Sequence, residues 1–195
     1  MRVLDPIFGH PRGLAGRLGG VLMTGSNAEQ ERWVVDHAEL RDGADVLVVG
    51  HGPGLGIEEA AAATAPTGHV VGVDPSATMR DMAAARCAAL IRDGRVEVRD
   101  GTAEATGCPH GTVDVVISVN NVMLWGRPAG FAEFFRVLRP GGRLVLSVHR
   151  HVLDIDPVQL VDDAQTAGFT DVKLSVRARR FNSPAVELIA CRPEC

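Results

Sequence analysis

The sequence predicts an α/β fold, a doubly wound and mainly parallel sheet covered by helices on both faces. Three observations carry this. Short apolar runs alternate with segments of helical character at least three times along the chain. The apolar runs lack the polar alternation of a one-sided sheet, so they suit strands buried on both faces. The length, 195 residues, fits one domain that buries close to ~70% of its unfolded surface without disulfides.

The first 26 residues are rich in Gly, Pro and Arg without sustained periodicity, which reads as an irregular arm or lid (1–26) ahead of the domain proper (27–195). Asn27 reads as an N-cap with Gln30 completing a box-like start, and Trp33, Val34, His37 and Leu40 place an amphipathic helix over 28–40. Arg41-Asp42-Gly43 ends it. Ala44–Val49 is then a buried strand, Gly50–Gly56 a glycine loop, and Ile57–Thr64 helical by composition. His69–Val73 is the second strand, and Asp74-Pro75-Ser76 opens a helix running to about Ile91. Arg95–Arg99 and Val113–Val119 are the third and fourth strands. A helix over Ala129–Leu138 stops at Pro140-Gly141-Gly142, and Arg143–Val148 is the fifth strand. Pro157–Ala167 is a helix closed by Gly168. The last two strands, Asp171–Val176 and Ala185–Cys191, lie too close for a helical crossover, so they should pair antiparallel, with one reversed strand at the sheet's end.

Composition narrows the partners. With 46% hydrophobic and 23% charged residues the chain is neither disordered nor fibrous. The net charge is −4, and the 20 cations are Arg apart from Lys173, with no basic run longer than a pair, so nucleic acid is disfavoured. No apolar stretch is long enough for a transmembrane helix, and Met1–Pro11 carries Asp5 and two prolines where a secretory signal needs an apolar run. Cys87, Cys108, Cys191 and Cys195 are scattered without a CxxC pair or a His at ligand spacing, which reads as thiols in a reducing cytoplasm and no metal site. The Arg bias, with abundant Ala and Gly, points to a GC-rich bacterial coding sequence. Nothing sets an oligomeric state.

The most informative segment is Asp45-Val-Leu-Val-Val-Gly50-His-Gly52-Pro-Gly54-Leu-Gly56, with four glycines at alternate positions between a strand and a helix. Bare backbone there lets a ligand lie close, and the N–H groups of the next helix favour an anionic group such as a carboxylate. The carboxyl end of the first strand is also the switch point of an open α/β sheet. A dinucleotide fingerprint fails on spacing, because Leu55 and Ile57 stand where its third glycine belongs. A phosphate loop fails for want of a Lys. A nicotinamide-dependent oxidoreductase is therefore the weaker reading, and a turn without a ligand is the bland one. Asp74, at the adjacent carboxyl edge, is placed to accept hydrogen bonds from two ribose hydroxyls; otherwise it is a turn residue before Pro75.

Four segments in this order, VLVVGHGPGLG (46–56), VVGVDPSATM (70–79), VDVVISVNNVMLW (113–125) and LRPGGRLVLSV (138–148), resemble the class I S-adenosylmethionine-dependent methyltransferases. The resemblance covers about residues 28–191 and implies a Rossmann-like, three-layer α/β/α fold whose seven-stranded sheet has its reversed strand beside the sixth. It implies S-adenosyl-L-methionine as cofactor and methyl transfer to a small-molecule acceptor through O, N, S or C. The alternative is a non-catalytic cofactor-binding or sensor protein on the same fold. Carried onto this chain, the resemblance gives the backbone of Gly50, Gly52 and Gly54 to the methionine part, with His51 packed against the cofactor. It gives Asp74 to the ribose, and Ser76, Met79, Gly101, Thr102 and Ala103 to the adenine pocket. Asn120 and Asn121 border the reacting methyl group, on the cofactor and acceptor sides respectively. Two positions depart from the family: Val48 stands where an acidic residue is usual, and Thr102 where Asp is usual, with Asp100 nearby.

Methyl transfer from a sulfonium is an in-line displacement in which the protein chiefly supplies position, worth on the order of 7–11 kcal/mol. A base is needed only for an acceptor protonated at neutral pH. His149 and His151, flanking Arg150 after the fifth strand, are the candidates, and the plainer reading is that they are solvated histidines leading into the next helix. Trp125 either floors the acceptor pocket or packs in the core. Arg12 on the arm, or Asn27, is placed to reach the cofactor's methionine end or the acceptor if the arm closes as a lid. A solvated Arg on a loose terminus is the plainer reading. The stretch Asn120-Asn121-Val122-Met123 lacks the Asn/Asp-Pro-Pro-Tyr/Phe pattern of amino-nitrogen methylases of adenine or glutamine, which demotes those acceptors.

Overall fold

The computed structural model describes residues 27–179 and 182–194. The expected arm 1–26, with Arg12, lies outside the described residues, as does Cys195. Helix α1 covers residues 27–37. It is followed by β1 (Asp45–Val49), α2 (Leu55–Ala63), β2 (His69–Val73), α3 (Ala77–Arg86), α4 (Ala88–Arg92), β3 (Val96–Arg99) and β4 (Val113–Val119). Then come α5 (Arg127–Val137), β5 (Leu138–His149), α6 (Val158–Thr166), β6 (Thr170–Arg177) and β7 (Ala185–Cys191).

The seven strands form one sheet in the order β3-β2-β1-β4-β5-β7-β6. Pairing is parallel from β3 to β5 and antiparallel on both sides of β7. The reversed strand is therefore not at the sheet's end, as the rhythm of the last third suggested. It is inserted between β5 and β6, beside the sixth strand as the family resemblance implied. Burial explains the order. β7 is apolar and buried along most of its length, whereas β6 alternates with exposed residues and can stand at an edge.

Helices cover both faces because successive strand residues point opposite ways. On β1, Val46 and Val48 pack with Val34 and Ala38 of α1, Ile57 and Ala60 of α2 and Ala83 of α3. Leu47 and Val49 face the other layer, with Phe131 and Phe134 of α5 and Leu160 and Ala164 of α6. Each fully buried Leu, Val or Phe of this kind stabilises by roughly 1.5–3 kcal/mol.

Three local expectations change. Asn27 is already helical rather than an N-cap, and Gln30 is fully buried instead of closing a capping box. The helix expected to run to Ile91 breaks at Cys87, whose Sγ lies 3.9 Å from the Gly54 carbonyl. The fifth strand starts early: Leu138 already pairs with Val113, and the chain bulges at Pro140-Gly141-Gly142 before Arg143 resumes opposite Val115. Gly141, at φ +78°, makes that bulge possible.

Strand order and register together position the site. β1 lies between β2 and β4, so the connections leave it in opposite directions and a crevice opens at its carboxyl end. Val49 is level with Val73 and Ser118, and Ser118 with Leu146. Gly50, Asp74, Asn120 and His149 thus emerge along one rim, joined there by the connection after β6. Among the described residues no helix is long and apolar enough to cross a membrane.

Candidate functional site

Beyond β1 the backbone takes a path that favours glycine, with φ +60° at Gly50, +52° at Gly52 and +89° at Gly54. The three are bare for different reasons. A Cβ on Gly50 would run into the Asn121 side chain, and one on Gly54 would sit 2.8 Å from Ala83 Cβ. Among the described residues, a Cβ on Gly52 would meet nothing within 4 Å. Gly50 and Gly54 serve packing, whereas Gly52, itself buried, has no described side chain against its bare Cα. Gly54 is the N-cap of α2 and brings no side chain to cap that helix, so its first N–H groups are suited to an anion.

Asp74 is buried at the end of β2. Its Oδ2 accepts from the Gly52 N–H at 3.0 Å and its Oδ1 from the Ser76 N–H at 2.8 Å. The carboxylate therefore fixes the loop's shape while each oxygen retains acceptor capacity for a ligand hydroxyl. Arg80 donates to the Asp74 carbonyl and to Asp100 Oδ1, both at 2.8 Å, tying the ends of β2 and β3. Ser76 caps α3 by accepting from the Met79 N–H, and Met79 is buried beneath it. Thr102 and Ala105 exchange backbone hydrogen bonds around buried Ala103, and Gly101 lies against Val73. Gly50, Gly52, Gly54, Asp74, Ser76, Met79 and residues 101–103 are thus brought together along the ends of three adjacent strands. His51 turns inward: its Nδ1–H donates to the Gly52 carbonyl at 2.7 Å, and its buried Nε2 has no partner. Burial pushes its pKa below the ordinary value, against the opposing pull of Asp74.

After β4 the two asparagines are engaged by the protein itself. Asn121 Nδ2 donates to the Val49 carbonyl at 2.6 Å, and its Oδ1 accepts from Ser118 Oγ at 2.6 Å and Trp125 Nε1 at 2.9 Å. Asn120, at φ +54°, donates from Nδ2 to Gln30 Oε1 at 2.9 Å and accepts the His149 N–H at 2.8 Å. Gln30 Nε2 also donates to Ser147 Oγ at 2.9 Å. Trp125 is half-buried and packs edge-on against Phe131 and Phe134.

His149 is held in one tautomer. Arg179 Nη1 donates to its Nδ1 at 3.1 Å, and its Nε2–H faces Asn27 Oδ1 at 3.3 Å. Burial, then Arg179, then His151 push its pKa down to about 4. In this arrangement His149 is neutral and its basic lone pair is occupied, so it is a poor general base, contrary to its sequence-based candidacy. His151 is exposed at the rim, with its ring 5.4 Å from that of His149.

A polar clasp that local sequence patterns did not disclose holds α1 to this rim. The Arg179 side chain, 1% exposed, donates to Glu29 Oε2 at 2.8 Å and to Gln30 Oε1 at 3.1 Å. Arg177 donates to Glu29 Oε1 at 2.6 Å and to buried Glu187 at 2.7 Å. These guanidinium groups hold the Glu29 carboxyl below the usual range. A cavity of about 20 Å³ remains between α1 and the glycine loop. A larger one, about 870 Å³, lies at the opposite ends of the strands. There Arg139 pairs with Asp45 and Asp114, and Arg143 with Glu39, which leaves a self-compensated charged groove. Among the described residues no group of three or more His, Cys, Asp or Glu could hold a metal ion.

An open glycine backbone after β1, a fixed carboxylate after β2 and an inserted antiparallel β7 define a Rossmann-like domain for a nucleoside cofactor. Residues 46–142 match the family model of a methyltransferase domain. The "uncharacterized methyltransferase YdaC" of Bacillus subtilis is 27% identical over 182 residues, 89% of this chain and 95% of that protein. Nocamycin O-methyltransferase of Saccharothrix syringae is 38% identical over 117 residues, 60% of this chain and 41% of that protein. The solved structure of Haemonchus contortus phosphoethanolamine N-methyltransferase 2 with S-adenosyl-L-methionine has a TM-score of 0.80 at 17% identity, covering 98% of this chain and 59% of that one. The chain belongs to the class I S-adenosylmethionine-dependent methyltransferases. It spans nearly all of YdaC but less than half of the nocamycin enzyme. Its described residues fit the family's cofactor: the bare main chain at Gly52, the first N–H groups of α2 and the remaining acceptor sites of Asp74 are complementary to an amino-acid tail and a ribose diol.

Proposed function

We infer that this chain transfers the methyl group of S-adenosylmethionine to a small-molecule acceptor. The observation that carries the reading is the fixed carboxylate of Asp74, held by the Gly52 N–H at 3.0 Å, beside a main chain that no described side chain covers at Gly52. The glycine-loop backbone and the first N–H groups of α2 would hold the methionyl end, with His51 packed behind them. Asp74 would take the ribose, and Ser76, Met79, Gly101, Thr102 and Ala103 the adenine. Bound there, the cofactor supplies a methyl group already activated on a sulfonium. The chain's own work is placement: Asn121 fixes Val49 and Gly50, while Asn120 and Gln30 tie the ends of β4 and β5 to α1.

With His149 neutral and occupied, the site suits an acceptor that is nucleophilic without a protein base, such as a thiolate, an enolate carbon or an unprotonated amine. His151 at the rim is the remaining candidate base, and Trp125 borders the acceptor side beside Asn121. The sequence-based expectation that residues 1–26, with Arg12, act as a lid is tested by their deletion, which should weaken cofactor affinity or turnover. Two of the relatives are named for small-molecule acceptors, which supports the size class. The free buried thiols of Cys87 and Cys108 support a cytoplasmic setting.

Calorimetry with S-adenosylhomocysteine tests the cofactor, and transfer of labelled methyl into the small-molecule fraction of a cell extract tests the reaction. Failure to bind at millimolar concentration would overturn both. Binding without transfer of label would favour a cofactor sensor instead.

A further inference from the structure

The cavity between α1 and the glycine loop is lined by Asn27, Glu31, Gly50, His51, Gly52 and Val119, among others. Its volume of about 20 Å³ accepts a single group the size of a water molecule. Asn27 and Glu31 stand four residues apart on α1 and so share one face of that helix. Glu31 is only 9% exposed, and its Oε2 lies against Gly56 in the first turn of α2. Among the described residues no hydrogen bond or ion pair reaches its carboxyl group. Burial, with Glu59 of α2 adding to it, pushes its pKa up to about 8, so it is protonated at neutral pH.

Among the described residues, the other groups around it do not supply a cation. His51 is held neutral, Arg32 on α1 pairs with Glu59 at 3.6 Å, and β1 and β4 offer Val48 and Val119. A buried carboxyl group without a partner is costly to keep and calls for a reason. Val48 Cγ1 and Glu31 Oε2 both lie near the side-chain position that Gly56 leaves bare. At that place β1 offers only an apolar side chain, and the one acid there among the described residues comes from α1.

We propose that Glu31 is the counter-ion for the α-ammonium group of the cofactor's methionyl end. This rests on the cofactor reading above. The zwitterion would then be read by two elements, with the N–H groups of α2 facing its carboxylate and Glu31 of α1 facing its ammonium. Binding converts the Glu31 carboxylic acid to a carboxylate paired with the ammonium, and the released proton passes to the buffer.

The test is titration calorimetry of the full chain with S-adenosylhomocysteine at pH 7, in buffers of different ionisation enthalpy. Wild type should release about one proton per ligand bound, with the release vanishing well above pH 8. Glu31→Gln should release none and bind S-adenosylhomocysteine about 10- to 100-fold more weakly, the loss of one hydrogen bond between charged groups. Both proteins should bind 5′-methylthioadenosine, which lacks the amino-acid end, equally and without proton release. Binding of S-adenosylhomocysteine with no proton released by wild type, or with equal affinity for both proteins, overturns the role of Glu31 and leaves the cofactor reading intact. No binding of either ligand by wild type overturns the cofactor reading itself. The proton count on wild type needs no variant, so it decides the matter even if Glu31→Gln does not fold.

Discussion

Replacing Asn121 with alanine separates two roles for that residue. Contact with the acceptor would make Asn121→Ala a kinetic defect, whereas the observed geometry makes it a structural one. Truncation strands the Val49 carbonyl, the Ser118 hydroxyl and the Trp125 indole N–H, bonded at 2.6, 2.6 and 2.9 Å in the intact protein. A stranded buried group costs roughly 1–3 kcal/mol. Trp125 is half-buried and recovers water, and the Ser118 hydroxyl can rotate, so the Val49 carbonyl and part of the Ser118 contribution remain. The expected total is about 2–4 kcal/mol, a fall in melting temperature of roughly 5–15 °C for a domain of this size. Affinity for S-adenosylhomocysteine should fall as well, because Gly50 loses the side chain that fills the space beside it. Circular-dichroism melts and calorimetry read both quantities. An unchanged melting temperature and cofactor affinity, with only kcat/KM reduced, would refute the structural assignment.

Gly52→Ala should cost only the roughly 1–2 kcal/mol of a left-handed backbone, yet weaken S-adenosylhomocysteine binding at least about tenfold by filling the ligand's space. Gly54→Ala adds a collision with Ala83 and should lower the melting temperature further than Gly52→Ala. Arg179→Met should raise the His149 pKa from about 4 towards its ordinary value, but not fully, because burial is the larger cause; NMR titration of the imidazole signals follows this, and an unmoved pKa would contradict the Arg179 contact. Glu31 has its folded pKa raised from 4.5 to about 8, so its contribution to stability is full below pH 4.5 and is lost as pH rises through 8. Glu31→Gln should therefore gain on wild type across that window, by on the order of 3–5 kcal/mol at its upper end, measured as melting temperature against pH.

Strand identities were legible because each apolar run is wedged between two helix layers, so local composition carries the signal. Ala44–Val49 was expected and Asp45–Val49 is found. Strand order was not local in this sense. The short link between β6 and β7 gives their antiparallel pairing, but only comparison of the buried AVELIAC stretch with the alternating TDVKLSVR stretch shows which lies inside. The glycine cradle was legible for the same reason as β1, since backbone demands are written at the residue concerned. Gln30 was misread because a capping pattern is local and fitted Asn27, whereas its partners Asn120 and Ser147 lie 90 and 117 residues away. His149 was legible as a residue at the rim, but its protonation state was not, because Arg179 and Asn27 meet it from distant parts of the chain.

The polar side chains at the carboxyl ends of the strands divide by whether their charge can change near neutrality. Asn120, Asn121 and Gln30 cannot ionise, Arg177 and Arg179 stay charged, and His149 is held neutral down to about pH 4. The framework that would orient the acceptor is thus insensitive to pH over the physiological range. A reaction whose electrophile arrives with its cofactor gains most from such a framework, since position rather than proton transfer is what the protein supplies. For an acceptor that needs no protein base, the pH dependence of kcat should then follow the acceptor's own ionisation, and that of cofactor binding should follow Glu31. An inflection in kcat that tracked the raised His149 pKa in Arg179→Met, with the same acceptor, would show instead that His149 takes a proton during turnover.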